Sequence, residues 1–204
     1  MKRLIKQGWV ALNLVRLWPS LVAVMLGAVD APIRADIRRW ALILFKEERL
    51  SGGALLWRHC WLMVYYREYR NLAYLRLPLA GLYGWMMPRL DSLQLYIDEL
   101  GPGCFIQHGF ATIVAARSIG ADFWLNQQVT IGYSNDTDVP VIGNGVTVRP
   151  GARIVGKLKV GDGATVGMNT VVTGNVPPGA TVFGVPGQVI WRKPPEQVSR
   201  KGQA

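Results

Sequence analysis

Two histidines occur in the 204 residues, His59 and His108, and only the second stands in a setting that suits chemistry. His108 lies in Leu100-Gly-Pro-Gly-Cys-Phe-Ile-Gln-His-Gly-Phe-Ala-Thr-Ile113, two residues after Ile106 and just before Gly109. A neutral imidazole, with a pKa of about 6.5 in water, can take a proton from a hydroxyl at neutral pH. Transfer of an acyl group from a thioester to a hydroxyl needs such a base, and neither a protein nucleophile nor a metal. A lone histidine is weak evidence alone, since a solvated corner residue looks the same. His59, beside Cys60 in a helix-like stretch, reads as a packed or surface histidine. Cys60 and Cys104 form no CxxC and no disulfide framework, so they read as buried thiols of a reducing compartment.

The elements that must position His108 announce themselves by period. From about residue 93 an aliphatic residue recurs every six positions. One series runs Leu100, Ile106, Ile113 (a seven-residue step), Ile119, Leu125, Ile131; a second runs Ile142, Val148, Ile154, Val160, Val166, Val172. Each hexapeptide makes a short strand and a corner, and three make one coil of a triangular prism whose coils stack by parallel strand pairing. One repeat cannot bury its own hydrocarbon, whereas stacked coils can. Twelve registers give about four coils. The step from Ile131 to Ile142 is eleven residues, five more than the repeat, so Tyr133 to Val141 is expected to leave the prism as a polar loop. Counted by coils, His108, Gln127, Pro150 and Met168 fall in one column at a corner.

The first half reads differently. Apolar and basic residues from Ala35 to Arg76 recur at helical spacing, with Trp40, Ile43, Leu44, Leu55, Leu56, His59, Leu62 and Met63 on buried faces. Ser51-Gly52-Gly53 breaks two helices, Leu62–Leu75 reads as one helix ending near Pro78, and Gly81 to Pro88 leads toward the repeats. Residues 1–90 carry 14 Lys+Arg against 5 Asp+Glu, an excess of nine, and six of the eight Trp. Such a segment suits peripheral contact with an anionic membrane surface; a packed helical subdomain explains it equally well. No spacing in it points to nucleic acid. The apolar run Leu17–Val29, interrupted by Pro19 and Ser20, is too short to span a bilayer and reads as an interfacial or packed helix rather than a cleaved signal. The division is 1–92, an α-helical basic Trp-rich region; 93–191, a β-helix; and 192–204, a basic C-terminal tail.

Residues 95–191 resemble the hexapeptide-repeat acetyltransferases of the serine acetyltransferase branch, and within it the group attached to exopolysaccharide and capsule biosynthesis. The resemblance is carried by Gly101-Pro-Gly-Cys-Phe-Ile-Gln-His-Gly-Phe, Asn126-Gln-Gln-Val-Thr-Ile-Gly132, Gly151-Ala-Arg-Ile-Val-Gly156 and Asn175-Val-Pro-Pro-Gly-Ala-Thr-Val-Phe-Gly-Val-Pro186. It implies a mainly β chain with a left-handed parallel β-helix, acetyl-CoA as cosubstrate with no metal, and a homotrimer with active sites between prisms. It places His108 on the catalytic histidine and Gly132, Pro150, Gly151 and Met168 on corners lining the CoA groove, with Arg192 and Lys193 suited to CoA phosphates.

Three departures from the serine enzymes follow. Gln107 stands where an Asp precedes the histidine; Thr137-Asp138-Val139-Pro140 replaces an Asp-Arg-His-Pro run in the excursion; and the histidine's upstream Asp partner falls near apolar Leu93, with Asp98 the nearest substitute. The sequence reading is therefore an O-acetyltransferase with His108 as general base. Gln107 and Gln127 would contact a saccharide hydroxyl of a polysaccharide or lipid-linked precursor, and the enzyme would work in the cytoplasm, at the membrane's inner face. The alternatives are a serine O-acetyltransferase of cysteine biosynthesis and a non-catalytic scaffold. The zinc carbonic anhydrases on the same prism need three histidines, and the repeats hold one.

Overall fold

A computed structural model describes residues 2–25, 31–135 and 138–190. Five helices come first: α1 (Lys2–Met25), α2 (Ala31–Phe45), α3 (Gly52–Tyr65), α4 (Arg67–Arg76) and the short α5 (Ala80–Tyr83), followed by a 3-10 turn, Gly84–Met86. Each buries the stripe its spacing dictates. Ile33, Ile37, Trp40 and Ala41 of α2, and Leu55, His59, Leu62 and Met63 of α3, are buried. The expected single helix Leu62–Leu75 is two, because Tyr66 takes an extended conformation (φ −123°, ψ 101°) that ends α3 and starts α4. Conversely, Pro19 does not break α1, which continues to Met25.

The rest is a left-handed parallel β-helix of about five turns, one more than the sequence count. The extra turn is at the top, where β1 (Leu93–Leu100) pairs in parallel with β3 (Thr112–Ile119), including Leu95 with Val114 and Leu100 with Ile119. One face of the prism stacks β2 (Phe105–Ile106), β4 (Trp124–Leu125), β7 (Thr147–Val148), β10 (Thr165–Val166) and β12 (Thr181–Phe183), all parallel; β13 (Gln188–Ile190) then joins β12 antiparallel. The other two faces are carried by the long strands β1 and β3. Below them, β5 (Thr130–Gly132), β8 (Arg153–Val155) and β11 (Val171–Val172) make one face, and β6 (Val141–Ile142) and β9 (Lys159–Val160) the other.

The inward column is buried: Ile106, Leu125, Val148 and Val166 on one face, Ile131 and Ile154 on another. Each such side chain is worth about 1.5–3 kcal/mol on removal from water. The register departs from the sequence reading at one point. Val114, not Ile113, points inward; Ile113 is 45% exposed. The corner after β2 holds extra residues, and the long strand β3 recovers them before Ile119.

The helices sit on the first coil. Trp40 packs edge-on against Tyr69 and Phe105, at 5.2 and 4.7 Å between ring centroids, and its indole N–H donates to the Cys104 carbonyl at 2.9 Å. Asn71 donates from Nδ2 to the Leu93 carbonyl at 2.8 Å. Inside the bundle, buried His59 links three helices: Nδ1 lies 2.9 Å from the Tyr69 hydroxyl and Nε2 3.3 Å from Ser20 Oγ. Ser20 donates onward to the Leu17 carbonyl, which makes the neutral ring an Nε2–H tautomer. Burial pushes its pKa down to about 4.

Candidate active site

Strand β2 ends at Ile106, and the chain turns outward through His108. The corner is strained: His108, Gly109 and Ala111 all have positive φ (67°, 43° and 51°). Non-glycine residues adopt that conformation at a cost, and such strain concentrates at functional sites. The Phe110 amide donates to the His108 carbonyl at 2.6 Å, and the Gln128 amide of the next coil donates to the Phe110 carbonyl at 2.9 Å. The corner is thereby tied to the coil below. A Cβ on Gly109 would fall 3.0–3.3 Å from Ile106, Leu93 and Glu68, so this corner also packs against α4. The His108 imidazole itself is exposed.

The pairing Ile106–Leu125–Val148–Val166 places His108, Gln127, Pro150 and Met168 successively down one edge of the prism. Coils stack at about 4.8 Å, so this edge is a narrow ladder of reachable groups. Gln127 is the informative member. Its Oε1 is buried and has no hydrogen-bond partner, one of two such side-chain atoms among the described residues. A buried acceptor left unpaired costs about 1–3 kcal/mol, which a ligand N–H or O–H would recover. Gly151 turns the same edge with φ +75°, where a Cβ would lie 2.0 Å from Asn169 Oδ1. Met168 is 64% exposed and free to meet an apolar chain.

Other expected site residues lie apart. Gly132 ends β5 at the next corner of the prism, in a groove of about 570 Å³ lined by Tyr96, Ile113, Thr130 and Tyr133. Gln107 accepts from the Trp124 indole N–H at 3.3 Å, which ties its carbonyl to the face of β2 and β4. Arg192 and Lys193 lie outside the described residues, as does Thr137 of the excursion. Asp138 closes the described part of that loop on itself, accepting from the Ser134 and Asn135 amides at 2.9 Å each and from the Ser134 hydroxyl. These donors, the hydroxyl first, hold its carboxyl below the ordinary range.

Neither position considered for a carboxylate partner of His108 supplies one. Leu93 fills the space against the corner, and Asp98 lies on β1 between the Ile97–Ala116 and Glu99–Ser118 pairs, on another face. Two residues went unnoticed in the sequence. Glu68 of α4 packs its stem against the His108 corner. Arg153 folds Nη1 onto the carbonyls of Gln128 (2.5 Å) and Gly151 (3.0 Å), fixing a cation on the edge that carries Gln127 and Pro150. Glu68 is brought there by the fold without a local motif; Arg153 lies within the Gly151–Gly156 stretch, but its spacing gave no sign of where its side chain folds. The thiols take no part: burial pushes Cys60 up to about 11 and raises Cys104 further.

No protein-family model matches the chain. It is similar to the serine acetyltransferase of Synechococcus elongatus, 36% identical over 98 residues, which are 46% of this chain and 40% of that protein. It is similar to that of Mycobacterium tuberculosis, 35% identical over 100 residues, 47% and 44% of the two chains. The chain thus spans less than half the length of these curated relatives. Among solved structures, Neisseria gonorrhoeae serine acetyltransferase superposes with a TM-score of 0.63 at 22% identity, covering 83% of this chain and 68% of that one. The serine acetyltransferase of Brucella abortus in complex with coenzyme A gives 0.57 at 22%, covering 78% and 66%.

The β-helical half is accordingly similar in sequence to hexapeptide-repeat acetyltransferases of the serine acetyltransferase type and shares their fold. The saccharide acceptor expected from the sequence is overturned by these matches, which are named for serine, and none of them points to the exopolysaccharide branch. The Arg-His pair is missing from the excursion, but a cation stands on this edge at Arg153.

Proposed function

We propose that this chain is an acetyl-CoA-dependent serine O-acetyltransferase. The observation that carries the reading is the pairing, on one strained edge, of an exposed imidazole with a buried unpartnered carbonyl oxygen, His108 above Gln127. Acetyl-CoA supplies the thioester. His108 removes the serine hydroxyl proton as that oxygen attacks the acyl carbon, and returns it to the sulfur as the carbon–sulfur bond breaks. Gln127 Oε1 accepts from the serine ammonium, and Arg153 offers a cation to an anionic group, the serine carboxylate or a CoA phosphate. Pro150, Gly151 and Met168 present a smooth edge along which the pantetheine arm lies. Gly132 belongs to the neighbouring corner, where a second prism would close the groove.

The protein works as a homotrimer in the cytoplasm, where acetyl-CoA is made, with its helical half toward the membrane's inner face. Exposed Tyr96, Ile113 and Tyr133 on one prism face support the trimer, since such a face suits burial against a copy. The test is release of CoA thiol from acetyl-CoA with serine as acceptor, using the wild-type chain and His108→Ala. Serine-dependent release, lowered about 10²–10⁴-fold by the substitution, supports the proposal. No release with serine, or an unchanged rate in the variant, overturns it.

A further inference from the structure

Helix α1 is built inside out. The stripe it buries against the bundle includes two polar residues, Asn13 and Ser20, among Val10, Leu17 and Val24. The face it turns to solvent is hydrocarbon: Leu4, Ile5, Trp9, Leu12, Val15 and Trp18 are 55–72% exposed. Between Gln7 and Met25 the only charged residue is Arg16, and its guanidinium is taken by the Met86 carbonyl. That contact brings the turn Gly84–Met86 alongside, and exposed Leu82 and Trp85 extend the apolar surface. At 1.5 Å per residue the face from Leu4 to Trp18 runs for about 21 Å, beyond the scattered apolar side chains of an ordinary surface.

We infer that this face docks on an anionic lipid bilayer, with α1 lying in the plane of the headgroups. Charge selects the partner. No acidic residue occurs in α1, Lys6 is exposed at its edge, and the half to which it belongs carries an excess of nine positive charges. That excess attracts anionic headgroups and repels a second copy of the same surface. Three exposed indoles, Trp9, Trp18 and Trp85, suit the boundary between headgroup and acyl chain. The helix is long and apolar enough to cross a membrane, with a mean hydropathy of 1.4 over Leu4–Met25. Crossing would strip Ser20 from buried His59 and put Asn13 into hydrocarbon, so the helix lies on the surface. The inference rests on the helical half alone and stands independently of the acetyl transfer.

The test is flotation of the full chain with vesicles of phosphatidylcholine alone and with added phosphatidylglycerol, read together with tryptophan emission. The wild type floats with the anionic vesicles, its emission shifts to the blue, and high salt weakens binding. Alkaline carbonate releases it from membranes. Leu12→Glu with Val15→Glu, both at exposed positions, lowers vesicle partitioning at least about tenfold while leaving melting temperature and CoA-thiol release unchanged. The inference fails if the wild type ignores anionic vesicles. It fails equally if the double substitution splits an oligomer in sedimentation, which would make the face a copy interface, or if carbonate leaves the chain in the membrane.

Discussion

Asp36 of α2 and Arg76 of α4 meet as a buried ion pair, Nε to Oδ2 at 3.0 Å, where the helices rest on the first coil. Each residue also grips the prism. Asp36 Oδ1 accepts from the Cys104 amide at 2.8 Å, while Arg76 donates to the Leu100 and Gly101 carbonyls at 2.5 Å each. Removing one partner leaves the other charge buried and unpaired, at a cost of about 3–5 kcal/mol. Asp36→Ala is therefore expected to lower stability by that amount in urea unfolding. A loss below about 1 kcal/mol would mean that the helices dock by apolar contact alone.

Gln127 gives an unusual signature. Its Oε1 is buried without a partner, so Gln127→Leu removes an unpaid desolvation and should leave the melting temperature unchanged or slightly raised. If the oxygen serves the acceptor, KM for serine rises about tenfold, the worth of one hydrogen bond, while KM for acetyl-CoA stays put. Steady-state kinetics with each substrate varied in turn separates the two.

Gly151→Ala should destabilise the edge that carries Gln127, Pro150 and Met168. The new methyl would press on Asn169 Oδ1, 2.0 Å away, in a backbone conformation with φ +75°. A loss of about 1–3 kcal/mol is expected. Adding Asn169→Gly should recover the steric part, and thermal melting of the single and double variants measures it.

His59 makes stability depend on pH. Its folded pKa is about 4, below the ordinary 6.5, because burial disfavours the charged ring. The unfolded chain therefore takes up a proton first as the solution is acidified. The contribution is complete above about pH 6.5 and is lost as pH falls toward 4, amounting to ~3 kcal/mol. Asp36, pushed up to about 6 by burial, takes up its proton in the folded chain over the same window and offsets part of this, so the expected outcome is a difference: as pH falls from about 6.5 to about 4, the wild type loses more melting temperature than His59→Asn.

The prism was legible because its signal is periodic: from Leu125 to Val172, apart from the excursion between Ile131 and Ile142, the inward residues follow the six-residue count. It misled where two aliphatics stand side by side, Ile113 and Val114, and a longer corner shifts the phase by one, and it missed the first turn, carried by β1. The break at Tyr66 left no trace, since no Pro or Gly marks it and aromatic residues fit either helix. For the site, the edge through His108, Gln127, Pro150 and Met168 followed from coil counting. Glu68 and Arg153 did not, because a helix docked from 40 residues upstream and a side chain folded back across two carbonyls have no sequence spacing. The acceptor was misjudged for a related reason. A missing motif says which residues no longer bind a carboxylate, and is silent on which others have come to.

The helices' grip on the first coil has one more consequence. A solenoid ends in raw strand edges, and such edges invite other chains to pair with them. Here the upper rim is plugged group by group: Asn71 occupies the Leu93 carbonyl, Arg76 those of Leu100 and Gly101, and Asp36 and Trp40 the amide and carbonyl of Cys104. At the lower rim β13 folds back antiparallel over β12 and covers that edge with the chain's own backbone. Stripping the helical half away would bare these groups and open the first coil's edge to pairing with another chain.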